Sequence, residues 1–190
     1  MTFILASASP RRQELLRQIG CEFRTVVSSF MEDNSLDLPP KELAVFQARA
    51  KACDVARRLG TGNIVIGADT IVVQEGRVYG KPSDLADARR MLSELAGVEH
   101  AVITGLAVAV GEKVWTDFAV TMVRFRDLTS DEIDRYLATG ESLDKAGAYA
   151  IQGRGALLVE RIDGCYANVV GLPLTTLDKL IRLSMGVGLL

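Results

Sequence analysis

The stretch "NIVIGADTIVV", residues 63–73, decides the fold because it is strongly strand-like and carries one aspartate near its centre. Its apolar, mostly β-branched residues predict a buried strand. Asp69 conflicts with that setting, since aspartate is disfavoured in strands and burial of its charge is costly. Either the strand ends at Ile66 and Asp69 starts a turn, or a metal ion or a solvent-open mouth of the sheet relieves the conflict. The renewed strand character of "TIVV" favours the second interpretation. Gly67 leaves room for a ligand or for backbone.

Helix and strand signals alternate before this stretch. "FILA" (3–6) predicts a short buried strand, after which Ser9 is suited to cap a helix that Gly20 ends. "EFRTVVSS" (22–29) predicts a second strand. The apolar spacing from Pro40 to Leu59 predicts a helix ended by Gly60. The residues that define its predicted apolar face are Leu43, Phe46, Ala50, Cys53 and Leu59.

The rest of the chain continues this alternation, without repeats, linkers or low-complexity tracts. The predicted elements are a hairpin or loop at 75–84, a helix over 85–95, a long strand pair at 100–110 and 114–128, a capped helix from Thr129 to near Gly140, a glycine-rich loop at 144–155, a strand at 156–162 and a final helix within 171–185. Since no strict βαβ rhythm holds, we expect an α/β fold with a mixed sheet.

The composition excludes several classes of protein. With 190 residues, 48% of them hydrophobic, the chain can bury a real core, and its net charge of −2 argues against a general nucleic-acid binder. Three scattered cysteines and a single histidine, His100, leave little material for a zinc site or a histidine cage. We expect His100 to be structural. The chain shows neither a signal-peptide pattern nor an apolar run long enough for a membrane, which predicts a cytoplasmic protein with no membrane partner.

The segment "SASPRR" (7–12) places two arginines where a helix begins. A helix start carries partial positive charge and unpaired N–H groups, so Arg11 and Arg12 are unfavourable there unless an anion completes the site. Small residues keep the backbone accessible, and a phosphate chain could accept forked hydrogen bonds from both guanidinium groups. The alternative is that both side chains extend into water at small cost. The residues alone leave these two interpretations open.

Several single residues give weaker signals. Lys51 lies among alanines, which is typical of a partly covered helix face, whereas Lys81 lies in the turn "YGKP". Glu32 belongs to a polar loop and could be plain surface charge. The segment "DKAGAYAIQG" (144–153), which carries Gln152, could close over a ligand or be an ordinary connection. Phosphate-loop, dinucleotide-binding and elbow-serine motifs do not occur in the sequence, which excludes those enzyme classes.

The chain resembles the Maf family of nucleoside triphosphate pyrophosphatases over essentially its whole length. The segments that carry the resemblance are "LASASPRRQELL", "GADTIVV" with the following "GKP", "TG" at 104–105, "DKAGAYAIQG" and "NVVGLPL". It implies a single 1–190 domain with two lobes and a central cleft, built on a mixed, strongly twisted sheet flanked by helices, as in the inosine triphosphatase-like architecture. A divalent cation, Mg²⁺ or Mn²⁺, and a homodimer are also implied.

The resemblance further implies the roles of individual residues. The family cuts a nucleoside triphosphate to the monophosphate and pyrophosphate. Asp69 corresponds to its proposed general base or metal-site carboxylate, and Glu32 to a second metal carboxylate. The residues that match its phosphate-binding set are Ser7, Arg11, Arg12, Lys51 and Lys81.

Members of the family divide by substrate. The branch that acts on dTTP and UTP is similar to this chain at Arg11, Thr70 and Gln152, whereas the branch for 7-methyl-GTP differs at all three places. A glutamine amide offers both a donor and an acceptor to a pyrimidine edge. We therefore expect a dTTP and UTP pyrophosphatase with a house-cleaning role in nucleotide pools, and modified pyrimidine nucleotides are further candidate substrates. The alternatives are a 7-methyl-GTP pyrophosphatase, a nucleotide-binding regulator of septum formation, or a stable domain with a vestigial site.

Overall fold

The computed structural model describes residues 2–189 and shows a mixed sheet with helices packed on it, as expected from the sequence. The strands are β1 Thr2–Leu5, β2 Phe23–Thr25, β3 Asn63–Gln74, β4 Arg77–Tyr79, β5 Glu99–Val110, β6 Lys113–Phe125 and β7 Val159–Asp163. The helices are α1 Pro10–Gln18, α2 Pro40–Leu59, α3 Leu85–Leu95, α4 Ser130–Leu137, α5 Tyr166–Val170 and α6 Leu174–Met185. The hydrogen-bonded strand order is β2-β1-β3-β5-β6-β7, and β4 pairs with β3. Parallel and antiparallel pairs both occur, which confirms the mixed α/β class.

The described residues group into two compact units. The first comprises 2–69, 104–119 and 171–189, and the second comprises 70–103 and 120–170. In the first unit β1 pairs in parallel with both β2 and β3, with Phe3 opposite Phe23 and Leu5 opposite Ile66. Helices α1 and α2 are the connections that such parallel pairing requires. Because β1 and β3 are parallel, the residues that follow β1 and those that follow the paired part of β3 lie at the same end of the pair, its carboxyl end.

Helix α1 begins and ends as the sequence predicts. The Ser9 hydroxyl accepts a hydrogen bond from the Arg12 backbone N–H, and Pro10 is the first helical residue. Leu15 and Leu16 are buried on its inner face. Gly20 follows the helix with a φ of +70°, a conformation that glycine adopts without strain.

Helix α2 has the predicted bounds, but of the five residues of the predicted apolar face only Leu43 is buried. Phe46 is 45% exposed and Leu59 is exposed too. The side chains that α2 buries belong to Leu43, Ala44, Gln47, Ala48, Lys51, Ala52 and Val55. Two glycines explain the choice of face, because a Cβ at Gly67 of β3 would overlap the Ala48 carbonyl oxygen and one at Gly105 of β5 would overlap the Ala44 backbone. The helix backbone thus packs directly on the sheet, on its alanine side.

The second unit has its own core around an aromatic cluster. The rings of His100, Phe125 and Tyr149 make edge-to-face contacts with centroids 4.6–5.5 Å apart. Strand β4 forms the predicted hairpin with β3, and α4 begins with the predicted capping box of Thr129 and Glu132.

The largest differences from the expectation concern β2, β7 and α5. Strand β2 has three residues instead of eight, and β7 starts only at Val159 because Gly153–Leu158 form 3₁₀ turns. Helix α5 was not predicted, since five residues without a capping signal give little periodicity. Among residues 2–189 no helix combines the length and the apolar character that crossing a membrane requires.

Candidate active site

A buried ion-pair centre lies at Asp69 in the first unit. The Lys51 ammonium Nζ donates to Asp69 Oδ1 at 2.6 Å and to Glu32 Oε1 at 2.6 Å. Asp69 is 4% exposed and Lys51 is 7% exposed, whereas Glu32 lies on the exposed loop before α2. β3 continues through Asp69, so the alternative of a strand that ends at Ile66 is wrong. The conflict of a charged residue in an apolar strand is relieved by the lysine from α2.

Gln47 completes this centre and was missed by the sequence analysis. It lies one helical turn before Lys51, so both side chains project from the same face of α2. Its Nε2 donates to Asn34 Oδ1 at 2.9 Å and, over a longer 3.4 Å, to Asp69 Oδ2, while its Oε1 accepts from the Asp33 backbone N–H at 2.9 Å. The available signal was a long polar residue at i−4 from Lys51 within the alanine-rich part of the helix.

Arg12 reaches over the carboxyl end of the β1–β3 pair. Its Nε donates to the Gly171 carbonyl oxygen at 2.7 Å, and its Nη1 donates to the Ala68 carbonyl oxygen at 2.9 Å and to Ser7 Oγ at 3.2 Å. These acceptors fix the guanidinium plane at the start of α1. They stabilise an arginine at a helix N-terminus from within the protein, an arrangement that the sequence does not predict. Gly171 belongs to the segment "NVVGLPL", and its carbonyl oxygen helps to hold the Arg12 side chain in place.

The charges around Arg12 are coupled to the ion-pair centre. Burial lowers the pKa of the Arg12 guanidinium, and the carboxylates of Asp69 and Glu32 act in the opposite direction. Neighbouring Arg11 lowers the pKa of Arg12 further, as two like charges must. Because arginine titrates so far above neutrality, Arg12 remains cationic at physiological pH. The carboxyl end of the β1–β3 pair therefore collects cations next to a carboxylate pair.

The residues fit a hard divalent cation. Glu32 Oε1 and Asp69 Oδ1 both lie 2.6 Å from one point, the Lys51 nitrogen, so two carboxylates already converge on a cation. Mg²⁺ is usually held by one or two carboxylates together with water and substrate phosphates. Within the described residues, no group of three or more His, Cys, Asp or Glu side chains could hold a metal by itself. The centre thus fits a metal that arrives with phosphate oxygens and does not fit a closed protein cage.

The other residues singled out from the sequence occupy different places. Arg11 is half-buried beside Arg12 in the first turn of α1. Thr70, Lys81 and Gln152 belong to the second unit. There Lys81 is exposed in the turn after β4, and Gln152 is half-buried directly before the 3₁₀ turns of the glycine-rich loop. Their assignments to phosphate and base remain predictions, as do the roles assigned to Ser7, Arg11, Arg12, Glu32, Lys51 and Asp69.

His100 is structural, as expected. It is buried, and its Nε2 shares a hydrogen bond of 2.8 Å with the Tyr149 hydroxyl. Burial lowers the pKa of His100 from 6.5 to about 4, against a smaller opposing effect of the Val98 backbone. Burial also raises the pKa of Tyr149, so both groups are neutral at physiological pH.

The fold and the centre define a class of protein: a mixed α/β protein with an aspartate–lysine–glutamate centre beside cationic side chains, suited to a polyanionic ligand. The sequence model of the Maf family, described as Maf-like protein, matches residues 2–183. The chain belongs to the Maf family.

Relatives of known name agree with this assignment. The chain is 52% identical to the dTTP/UTP pyrophosphatase of Geotalea uraniireducens over 181 residues. This alignment covers 94% of this chain and 93% of that protein. The chain's identity to the dTTP/UTP pyrophosphatase of Gloeobacter violaceus is 52% over 179 residues, with the same shares. The dTTP/UTP pyrophosphatase of Moorella thermoacetica is 52% identical over 182 residues, which cover 95% of this chain and 93% of that one.

Solved structures give a more distant likeness. The Ham1 protein of Staphylococcus aureus is 14% identical and covers 67% of this chain and 73% of its own, with a TM-score of 0.47. A nucleoside-triphosphatase, a dITP/XTP pyrophosphatase from Mycobacterium abscessus, is 15% identical and covers 67% and 76%, with a TM-score of 0.43.

Proposed function

We propose that this chain is a nucleoside triphosphate pyrophosphatase that hydrolyses dTTP and UTP to the monophosphate and pyrophosphate. The observation that carries the proposal is the buried Asp69, held by Lys51 beside Arg12, in a chain half identical to relatives named dTTP/UTP pyrophosphatase. A buried carboxylate is not needed to hold a phosphate chain, because its negative charge repels the phosphate oxygens. It is useful where a water molecule must be oriented or deprotonated next to that chain.

The roles of the first-unit residues follow from their charges. Arg11, Arg12 and Lys51 would neutralise the negative charge that builds up on the phosphate oxygens, together with the Ser7 hydroxyl. Asp69 would accept the proton of the attacking water. As the new bond from water oxygen to the α-phosphorus forms, the bond to the bridging oxygen breaks, and pyrophosphate leaves with the electron pair. Lys81 of the second unit is proposed as a further phosphate ligand.

The proposal includes a divalent cation. Glu32 and Asp69 would hold Mg²⁺ or Mn²⁺, since their oxygens converge on one cation already. When bound, the cation would supply charge neutralisation at the phosphate oxygens. Lys51, which stands between the two carboxylates, would keep them close together before substrate arrives.

Base selection is assigned to three residues outside this centre's ion pairs. Arg11, Thr70 and Gln152 are proposed to distinguish a pyrimidine from 7-methylguanine, as their identities match the dTTP and UTP branch. The Gln152 amide would pair with the O4 and N3–H edge of the base. Gln152→Ala should therefore reduce the preference for UTP over GTP in kcat/KM, and an unchanged preference would contradict this role.

The experiment that tests the function is an assay of pyrophosphate release. The substrates are dTTP, UTP, GTP and 7-methyl-GTP, each with Mg²⁺ or Mn²⁺ and with both wild type and Asp69→Asn. We expect turnover of dTTP and UTP by the wild type and a loss of about 10³-fold in kcat for Asp69→Asn, with nucleotide binding retained.

Two alternatives give different results in the same assay. Selective release from 7-methyl-GTP would place the chain in the other substrate branch. Nucleotide binding without turnover in the wild type would favour a nucleotide-binding regulator of septum formation, and full activity of Asp69→Asn would contradict the assigned mechanism.

The proposal extends to the assembly and location of the protein. We propose a cytoplasmic homodimer, supported by the resemblance to the family and by the absence of disulfide-forming patterns among the three cysteines. Light scattering of the purified protein measures its mass, and a monomeric mass would contradict the dimer.

A further inference from the structure

The loop that carries Glu32 is held to the centre at three consecutive residues, Glu32, Asp33 and Asn34. The segment between β2 and α2 contains neither helix nor strand, and residues 31–39 are all exposed. Glu32 itself contacts Lys51 Nζ, and the next backbone N–H, that of Asp33, donates to Gln47 Oε1. Because every ordered residue of an exposed loop loses conformational entropy, Glu32 requires such anchors to stay in place.

Both polar atoms of the Gln47 side chain have hydrogen-bond partners. Its side chain is fully buried, and a buried amide is tolerated in a core only when it is hydrogen-bonded. Oε1 receives the Asp33 N–H, and the two hydrogens of Nε2 are directed to Asn34 Oδ1 and Asp69 Oδ2. One amide thereby joins the loop on one side of the centre to the carboxylate of β3 on the other.

The position of α2 makes this bridge possible. With glycines at positions 67 and 105 the helix lies directly on the sheet, close enough for a side chain as short as glutamine to reach Asp69. Gln47 approaches Asp69 Oδ2 while Lys51 holds Oδ1, so both oxygens of the carboxylate have a partner from one helix face. The carboxylate plane is therefore set by α2.

We infer that Gln47 is a positioning residue, which fixes Glu32 and Asp69 relative to each other by joining the Asp33–Asn34 backbone and side chain to the Asp69 carboxylate. The inference rests on the proposed function, since it concerns the geometry of the same two carboxylates. Residues that orient the ligands of a site typically change affinity or rate by about 10- to 100-fold when they are replaced.

The test compares Gln47→Leu with a control in the same helix. Asp54 also anchors this loop to α2, because its carboxylate accepts from Ser28 Oγ, Ser29 N and Ser29 Oγ at 2.8–3.0 Å. No hydrogen bond or ion pair joins Asp54 to Glu32, Lys51 or Asp69 among the interactions described for it. Asp54→Ala therefore loosens the loop without touching the centre. A third variant, Asn34→Ala, removes one partner of Gln47 from the solvent side and leaves the core intact.

The readouts separate positioning from stability. For Gln47→Leu we expect kcat for UTP to fall about 10- to 100-fold with KM within about threefold, and Mn²⁺ affinity, titrated calorimetrically in the presence of a non-hydrolysable UTP analogue, to fall about tenfold. Asn34→Ala should lower kcat several-fold at an unchanged Tm. Asp54→Ala should lower Tm and leave kcat and Mn²⁺ affinity within about twofold.

Three outcomes would overturn the inference. They are an unchanged kcat and Mn²⁺ affinity in Gln47→Leu, equal losses in Asp54→Ala, or no Mn²⁺ binding by the wild type. If the wild type binds Mn²⁺ but hydrolyses none of the nucleotides, the proposed function fails by itself. The Mn²⁺ titrations then decide the role of Gln47, and a selective loss in Gln47→Leu supports it. If Gln47→Leu does not fold, Asn34→Ala decides, and an unchanged kcat in that variant counts against the inference.

Discussion

Two buried polar clusters in this protein offset the free-energy cost of burying polar groups in different ways, one as an ion pair and the other as a neutral pair. In the first unit, Lys51 and Asp69 are buried as charges and depend on each other and on Glu32. In the second unit, His100 and Tyr149 are buried as neutral groups that share a hydrogen bond inside an aromatic cluster. Replacing a buried ion pair by apolar residues is often neutral or stabilising, so such a pair indicates function more than stability. A neutral pair that is packed in an apolar core indicates a role in stability more than in function.

Lys51→Met is the variant for which we expect the largest loss of stability and activity. The variant leaves two carboxylates facing each other without their counter-ion, and we expect a loss of about 3 kcal/mol in the free energy of unfolding. Pyrophosphate release should fall by about 10²- to 10³-fold, measured beside urea denaturation.

Lys179→Met is the matched control for that variant. It removes the exposed pair of Lys179 with Asp117 in the same unit, which has a comparable distance of 2.8 Å. The loss there should stay below about 1 kcal/mol, with activity unchanged. Similar losses in both variants would show that burial of the Lys51 pair has no special consequence.

The packing under the charged centre is tested by Gly67→Ala. The added methyl group would overlap the Ala48 carbonyl oxygen and lie 2.9 Å from the Ala52 side chain, so α2 must move away from β3. We expect a loss of about 2–3 kcal/mol and a lower kcat, because Gln47 and Lys51 move with the helix. Gly20→Ala has open space around it and a left-handed φ, and should lower stability by about 1 kcal/mol at full activity. If Gly67→Ala kept its activity, the distance of α2 from the sheet would not set the centre's geometry.

The neutral cluster predicts an acid sensitivity that depends on His100. The pKa of His100 is about 4 in the folded protein and 6.5 in the unfolded chain, so the unfolded state binds more protons between these values. This contribution is complete above pH 6.5 and is lost as the pH falls toward 4. It amounts to about 2 kcal/mol between pH 7 and pH 5.

His100→Gln isolates this contribution, because glutamine can still pair with Tyr149 but does not titrate. The difference in unfolding free energy between wild type and His100→Gln should shrink by about 2 kcal/mol from pH 7 to pH 5, measured by urea denaturation. A constant difference would show that His100 does not titrate in this range. The activity of the variant at pH 8 should match the wild type, unlike that of the Lys51 variant.

The smallest effect is expected for Tyr149→Phe. The ring contacts to His100 and Phe125 remain, and only the hydrogen bond to His100 Nε2 is lost, so stability should fall by about 1 kcal/mol. Turnover should not change. Tyr166, which is exposed, offers the control Tyr166→Phe with no effect on Tm. A loss of turnover in Tyr149→Phe would mean that the neutral cluster is not purely structural.

Much of the fold could be predicted because its signals are local. Caps and stops define α1 and α2, and the capping box defines the start of α4. The face that α2 buries could not be predicted, because alanines give a helix little contrast between its sides. Phe46 was expected inside and lies half outside, while Gln47 and Lys51 lie inside. Close approach to Gly67 and Gly105 decides the face, and this is a contact between segments far apart in the chain.

The sequence by itself determined the order of the strands and of every helix except α5, the family, and five of the residues that meet in the first unit: Ser7, Arg12, Glu32, Lys51 and Asp69. Ser7 and Arg12 stand in a short motif and Asp69 conflicts with its strand pattern, signals that need no knowledge of distant segments. Glu32 and Lys51 gave weak signals by themselves and were assigned through the resemblance. Only the tertiary structure decided that Lys51 lies between two carboxylates, that the Gly171 and Ala68 carbonyls hold Arg12, and that Gln47 joins a loop to a strand. These contacts join residues 13 to 159 positions apart, and their partners are set by how helices pack on the sheet.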